Sequence, residues 1–104
     1  MYADSHLVVT LTQEPAGLCF AGEIDSSNAR AVAEFLSSGL DGAGDIHLDM
    51  SGLSFCDVSG IRSLIEAAES RKQGRLMLYG LPNLLQRVMA ATDWSNLPHL
   101  VVVS

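Results

Sequence analysis

Two carboxylates and one hydroxyl are the groups in this sequence best placed to do chemistry. Asp25 and Asp57 each follow a segment that reads as a strand, and Ser59 stands two residues past Asp57, just before Gly60 and a helical pattern. Loops at the carboxyl ends of parallel strands are where α/β folds place their sites, so the spacing draws both acids toward one edge of a sheet. The Ser59 hydroxyl then lies at a helix N-terminus. There it suits two roles. As an N-cap it accepts a hydrogen bond from a backbone N–H one turn on, while Asp57 faces the positive end of the helix dipole. As a phosphoryl acceptor it uses the same N–H groups and dipole to hold the phosphate. Spacing alone leaves both roles open. Ser54 and Ser63 are weaker acceptor candidates.

Other chemistries find little support. Cys19 and Cys56 form no Cys-x-x-Cys pair and sit among apolar residues, where a free cysteine behaves as a small hydrophobe. His6, His47 and His99 are far apart, with no metal-ligand spacing, so no metal site is expected. A serine hydrolase would need a Gly-x-Ser-x-Gly elbow, which is missing, and a histidine near Ser59. Twelve acidic residues against six basic ones give a net charge of −6, which disfavours direct binding of nucleic acid or of an anionic membrane. No window approaches the ~18 apolar residues of a membrane span, and Met1-Tyr2-Ala3-Asp4-Ser5 does not read as a signal peptide. A cytoplasmic protein without membrane insertion is therefore expected, with proteins or small molecules as partners.

The elements that position these groups follow from periodicity. With 104 residues, of which 48% are apolar and 17% charged, the chain should form one packed domain over residues 1–104. Leu7 to Thr12 and Leu18 to Ala21 read as two strands around a turn at Gln13-Glu14-Pro15-Ala16-Gly17, and Gly22-Glu23-Ile24-Asp25 ends the second. Asp25 or Ser26 would cap a helix whose inward stripe is Ala29, Val32, Ala33, Leu36 and Leu40, stopped by Gly39, Gly42 and Gly44. Ile46-His47-Leu48-Asp49-Met50 alternates as a strand, and Ser51 to Val58 reads as a loop. A second helix starts near Ser59, with Ile61, Leu64, Ile65 and Ala68 inward and Arg62, Glu66, Glu69 and Arg71 outward, and ends by Gly74. Leu76 to Tyr79 reads as a strand covered on both faces, and Gly80-Leu81-Pro82 opens a third helix with Leu84, Leu85, Val88, Met89 and Thr92 inward. Leu100 to Val103 is a last strand. Phe35 and Trp94 are packing groups, and Met77 and Met89 fill core gaps. The class is α/β, with an α+β-like mixed sheet of four to five strands in the order β-β-α-β-α-β-α-β.

The stretch from Ile46 to Ile61 resembles the signature of STAS domains of the anti-sigma factor antagonist family: an apolar strand, Asp49-Met50-Ser51, then Phe55-Cys56-Asp57-Val58-Ser59-Gly60-Ile61 opening a helix. Gly22-Glu23-Ile24-Asp25, Leu78-Tyr79-Gly80-Leu81-Pro82 and Arg87-Val88-Met89 are similar to further segments of that family, so the resemblance spans nearly the whole chain. It implies the STAS fold and a non-catalytic switch. The serine of Asp-x-Ser-Gly, here Ser59, would be phosphorylated by a partner that is both serine/threonine kinase and anti-sigma factor, and a phosphatase would reset it. Unphosphorylated protein would hold the kinase and free a sigma factor. Asp25, Ser26, Ser54, Asp57, Val58, Gly60, Ile61 and Arg62 would form the partner-binding surface. Val58 departs from the family, which often has Ser or Thr there, as does Arg62, where Gly is common. A constitutive STAS scaffold, associated with a transporter or with stress signalling, is the alternative. A response-regulator receiver domain is disfavoured, because it needs a lysine after a late strand and the only lysine, Lys72, falls in the second helix's last turn.

Overall fold

The computed structural model describes residues 2–13, 16–39, 44–70, 74–92, 97 and 99–103. Among them the strands β1 (Tyr2–Ala3), β2 (Leu7–Gln13), β3 (Ala16–Ile24), β4 (Ile46–Cys56), β5 (Leu76–Tyr79) and β6 (Leu100–Val103) form one sheet in sequential order. Helices α1 (Ala29–Gly39), α2 (Val58–Glu69) and α3 (Asn83–Ala90) connect β3 to β4, β4 to β5 and β5 to β6. The pairs β1–β2 and β2–β3 are antiparallel and the remaining pairs parallel. This is the expected mixed sheet with one strand added. β1 has two residues, too few to show a period, and is fixed by pairing Tyr2 with Val9 and Ala3 with Val8.

Apolar side chains alternate across the strands so that one sheet face is the core. Leu7, Val9, Leu18, Phe20, Leu48, Met50, Leu76 and Leu78 are buried there. Val32 and Leu36 of α1, Ile61 and Leu64 of α2, and Leu85 and Met89 of α3 complete the same cluster. The alternate residues His47, Asp49, Met77 and Tyr79 are only half-buried. Four parallel strands in sequential order, joined by right-handed crossovers, put every helix on the same face. The expectation that β5 is covered on both faces is therefore corrected: Leu76 and Leu78 are inside, whereas Met77 and Tyr79 face the open side. On that side Tyr79 stacks on His47 and its hydroxyl lies 2.8 Å from His47 Nδ1.

The segment read as a loop after Met50 is a second correction, because β4 runs on to Cys56. Its buried positions fall at 48, 50, 53 and 56, so the period-two pattern that marks a strand is lost halfway. Pairing with β3 continues through Gly22↔Leu53, Glu23↔Phe55 and Ile24↔Cys56 across two register irregularities. Gly22 sits at one of them with φ +120°, and a Cβ there would overlap the His6 carbonyl oxygen.

The helices follow the predicted stripes with one exception. Ala29, Val32, Ala33 and Leu36 are buried on α1, and Ile61, Leu64, Ile65 and Ala68 on α2, with Arg62, Glu66 and Glu69 exposed. α2 stops at Glu69 with Ser70 as its C-cap, before Gly74. On α3 the inward residues are Leu85 and Met89, in line with Leu81 just before the helix, while Leu84 is 70% exposed, Thr92 is exposed and Val88 is half-buried. A short helix starting after Pro82 keeps only the i, i+4, i+8 row on the core. Phe35 packs its ring 5.8 Å from that of Tyr2. Leu40, Gly42, Arg71, Lys72 and Trp94 lie outside the described residues.

Asp4 ties the N-terminal edge to α1. Its carboxylate accepts hydrogen bonds from the Tyr2 hydroxyl at 2.6 Å, the N–H groups of His6 and Leu7 at 2.7 and 2.8 Å, and Asn28 Nδ2 at 3.2 Å. The Tyr2 hydrogen bond is the largest cause that holds this carboxyl at about 2 instead of 3.8. A depressed folded value means that the stabilisation is complete above the ordinary carboxylate value and is lost as pH falls toward the folded one. Asp4→Asn should lower the urea-unfolding free energy by about 1 kcal/mol at pH 7, with the gap from wild type closing between pH 4 and pH 2.

Candidate functional site

The parallel pair β3–β4 ends with Ile24 opposite Cys56, so Asp25 and Asp57 follow directly paired residues at one edge of the sheet, as the spacing implied. The Asp57 N–H donates to the Ile24 carbonyl at 3.2 Å, which fixes the turn out of β4 against the end of β3. Asp57 is extended, with φ −96° and ψ −173°, and is the N-cap of α2. Its Oδ1 accepts the Gly60 N–H at 3.0 Å, and its carbonyl accepts the Ile61 N–H at 3.1 Å. A carboxylate here satisfies an orphan donor and meets the positive end of the helix dipole. The capping role that spacing allowed for Ser59 is thereby corrected. Ser59 is the second residue of α2, is half-buried, and its hydroxyl has no hydrogen-bond partner among the described residues.

Gly60 lets the helix approach the strand ends. A Cβ on it would stand 2.5 Å from Cys56 Sγ and 2.9 Å from Ile24 Cγ2. Burial, and secondarily the neighbouring Asp57 charge, pushes the Cys56 thiol up to about 12, so it stays protonated and serves as packing. Ser63 is 3% exposed and donates its hydroxyl to the Gly60 carbonyl at 2.6 Å, which removes it as an acceptor candidate.

On the facing side, Asp25 accepts hydrogen bonds from the Ser27 hydroxyl and from the Ser27 N–H, at 2.5 and 2.8 Å, and these hold its carboxyl below the usual carboxylate range. The Asp25 carbonyl also accepts the Ala29 N–H at 2.8 Å, so Asp25 caps the turn into α1 as expected, and that turn is tied back to β3 by Asn28, which no sequence pattern singled out. It is 5% exposed, accepts the Asp25 N–H at 2.9 Å, and donates to the Glu23 carbonyl at 3.0 Å.

Between the starts of α1 and α2 lies a groove of about 470 Å³, lined by Ser26, Ala29, Arg30, Ser59, Arg62, Ser63 and Glu66. Of the residues expected to form a partner surface, Ser26, Ser54, Val58 and Arg62 are exposed, and Asp25 and Asp57 are half-buried. Ser54 donates to the Gly22 carbonyl at 3.2 Å. Gly60 and Ile61 are corrected: both are buried, Ile61 completely, because they form the underside of α2. Phe55 and Val58, each 48% exposed, place apolar surface beside Ser59. Among the described residues no group of three His, Cys, Asp or Glu could hold a metal ion, and no helix is long and apolar enough to cross a membrane.

Gly60→Ala gains helix propensity but drives a methyl group into Cys56 and Ile24, so the net effect should be a loss of about 1–2 kcal/mol in denaturant unfolding. Adding Cys56→Ala should recover part of that loss.

Comparison with known proteins agrees with this geometry. A family model described as "Mlab, STAS domain" matches residues 7–102. The crystal structure of an anti-sigma factor antagonist from Mycobacterium paratuberculosis superposes with a TM-score of 0.67 at 18% identity, covering 97% of this chain and 90% of that one. No curated protein matches the sequence. The strand and helix order, the capped α2 and the match over residues 7–102 make this chain a member of the STAS domain family.

Proposed function

We propose that the chain acts as one STAS domain over residues 1–104, a non-enzymatic, cytoplasmic switch of the anti-sigma factor antagonist type. Unmodified, it binds an anti-sigma factor serine/threonine kinase and so frees a sigma factor. Phosphorylation of Ser59 ends that complex, and a phosphatase restores it. The observation that carries this reading is the capping of α2 by Asp57, which leaves the Ser59 hydroxyl, on the wall of an open groove, without a hydrogen-bond partner among the described residues. The likeness in fold to an anti-sigma factor antagonist supports the class.

In the transfer, Ser59 Oγ attacks the γ-phosphorus of ATP, the bond to the ADP oxygen breaks, and the hydroxyl proton passes to a base of the kinase. ATP and Mg²⁺ belong to the kinase, so this chain needs no cofactor. A standard interface buries on the order of 1,600 Å² around a few central residues. Phe55 and Val58 would supply its apolar centre, and Asp25, Ser26, Ser54, Asp57 and Arg62 its polar rim. Phosphorylation adds roughly −1.5 to −2 charges at that centre, beside Asp57, on a chain already at −6. Desolvating that charge against a surface fitted to a neutral hydroxyl costs several kcal/mol, which weakens binding ~100-fold or more.

The description of the matching family model as Mlab, and not as an anti-sigma factor antagonist, favours a second reading. In it the chain is a constitutive STAS module, for example a transporter-associated or stress-signalling subunit. Intact mass after incubation with the cognate kinase and ATP separates the two: the switch predicts an addition of about 80 Da that is absent in Ser59→Ala, and no addition favours the constitutive module. In titrations against that kinase, the phosphorylated form should bind ~100-fold more weakly than the unmodified one, and Phe55→Ala about tenfold more weakly than wild type. Equal affinity of the phosphorylated and unmodified forms would rule out the charge mechanism.

A further inference from the structure

The groove beside Ser59 gathers arginines from two helices. The sequence has six basic residues against twelve acidic ones, yet Arg30 and Arg62 both line this one groove, from α1 and α2 respectively. Arg62 lies three residues after Ser59 on α2, so the two side chains share a face one turn apart. Helical side chains lean toward the N-terminus, which directs the Arg62 side chain toward the turn that holds Ser59. Among the described residues Arg62 makes no ion pair, unlike Arg75, which is bound to Asp45 at 3.2 Å. Arg30 meets Glu34 at 3.6 Å with both side chains largely exposed, a weak surface contact that yields to a stronger anion.

We propose that Arg62 and Arg30 are the intramolecular counter-ions of a phosphate on Ser59. This inference rests on the reading of Ser59 as the phosphorylated residue and names how that state is held. A phosphate monoester dianion offers three acceptor oxygens, and a guanidinium presents a planar fork of donors that fits them two at a time. Arg62 reaches the phosphate along α2 and Arg30 reaches it from α1, so the modified residue bridges the two helices and fills the groove. The acidic groups opposing this are Asp57, which is engaged with the Gly60 N–H, Asp25, which is engaged with Ser27, Glu66 on the groove wall, and Glu34, which competes for Arg30 at 3.6 Å. Phosphorylation on this account closes the groove to a partner by occupying it, besides adding charge. It also accounts for an arginine at position 62, where the resemblance led to an expectation of glycine.

The test needs no kinase. Protein carrying phosphoserine at position 59, incorporated during synthesis, is titrated by phosphorus NMR between pH 4 and pH 9, as the otherwise wild-type chain and with Arg62→Gln, Arg30→Gln or both. Arginines on the phosphate favour its dianion, so Arg62→Gln should raise its proton affinity roughly two- to fivefold, the double variant should raise it further, and Arg62→Lys should fall between wild type and Arg62→Gln. The Arg62 Nε–H resonance should also move downfield on phosphorylation and return when the phosphate is removed. The same titration curve in all variants, with an unmoved Arg62 resonance, overturns the proposal. Far-UV circular dichroism of each variant checks that it is folded. If these shifts appear while kinase binding is indifferent to phosphorylation, the partner-switching reading falls and the counter-ion assignment stands. The reverse result removes the arginines and leaves the switch.

Discussion

The Asp57 carboxylate on the Gly60 N–H is the contact on which the site depends. A helix N-terminus leaves several N–H groups without intrahelical partners, and a side chain placed just before it must satisfy one of them. Here that side chain is the aspartate two residues before the serine, so among the described residues the Ser59 hydroxyl enters the helix uncommitted. Were Ser59 the cap, its oxygen would be tied down and partly covered by the turn it closes. A cap and a modifiable group are both required within three residues, and the Asp-x-Ser spacing separates the two duties.

The cap can hold only because the sheet presents it in the right place. β3 and β4 run parallel to the same end, and the Asp57 N–H is fixed on the Ile24 carbonyl, so the turn into α2 has little freedom. Gly60 then brings the first turn of α2 onto Cys56 and Ile24, a distance that no larger residue would allow. Asp25, braced by Asn28, does the corresponding work for α1, from the neighbouring strand end. The groove between the two helix starts is the space left by these anchors. Arg30 and Arg62 line it from the two sides.

Much of this was legible in the residues. The stripes of α1 and α2, the hairpin and the strand order follow from period 3.6 and period 2, and the motif around Ser59 placed the site at the end of β4. The parts that were not legible have physical causes. The second half of β4 loses its alternation at the register irregularities, so Leu53 and Cys56 face inward at a spacing of three. β1 is too short to carry a period. Choosing Asp57 over Ser59 as the cap depends on where the first helical turn begins, and a shift of a single residue reverses the assignment. Leu84 reads as an inward residue from its type alone, but the start of α3 after Pro82 turns it outward. The Arg30–Arg62 juxtaposition joins positions in different helices, which no local pattern reports.

The claim that Asp57 caps α2 while Ser59 is structurally uncommitted is tested most directly by comparing the urea-unfolding free energies of Asp57→Ala and Ser59→Ala with wild type. The account predicts a loss of about 1–2 kcal/mol for Asp57→Ala and a change within about 0.5 kcal/mol for Ser59→Ala. A cap-sized loss for Ser59→Ala, with Asp57→Ala close to wild type, would show that the hydroxyl holds the helix and would contradict the account.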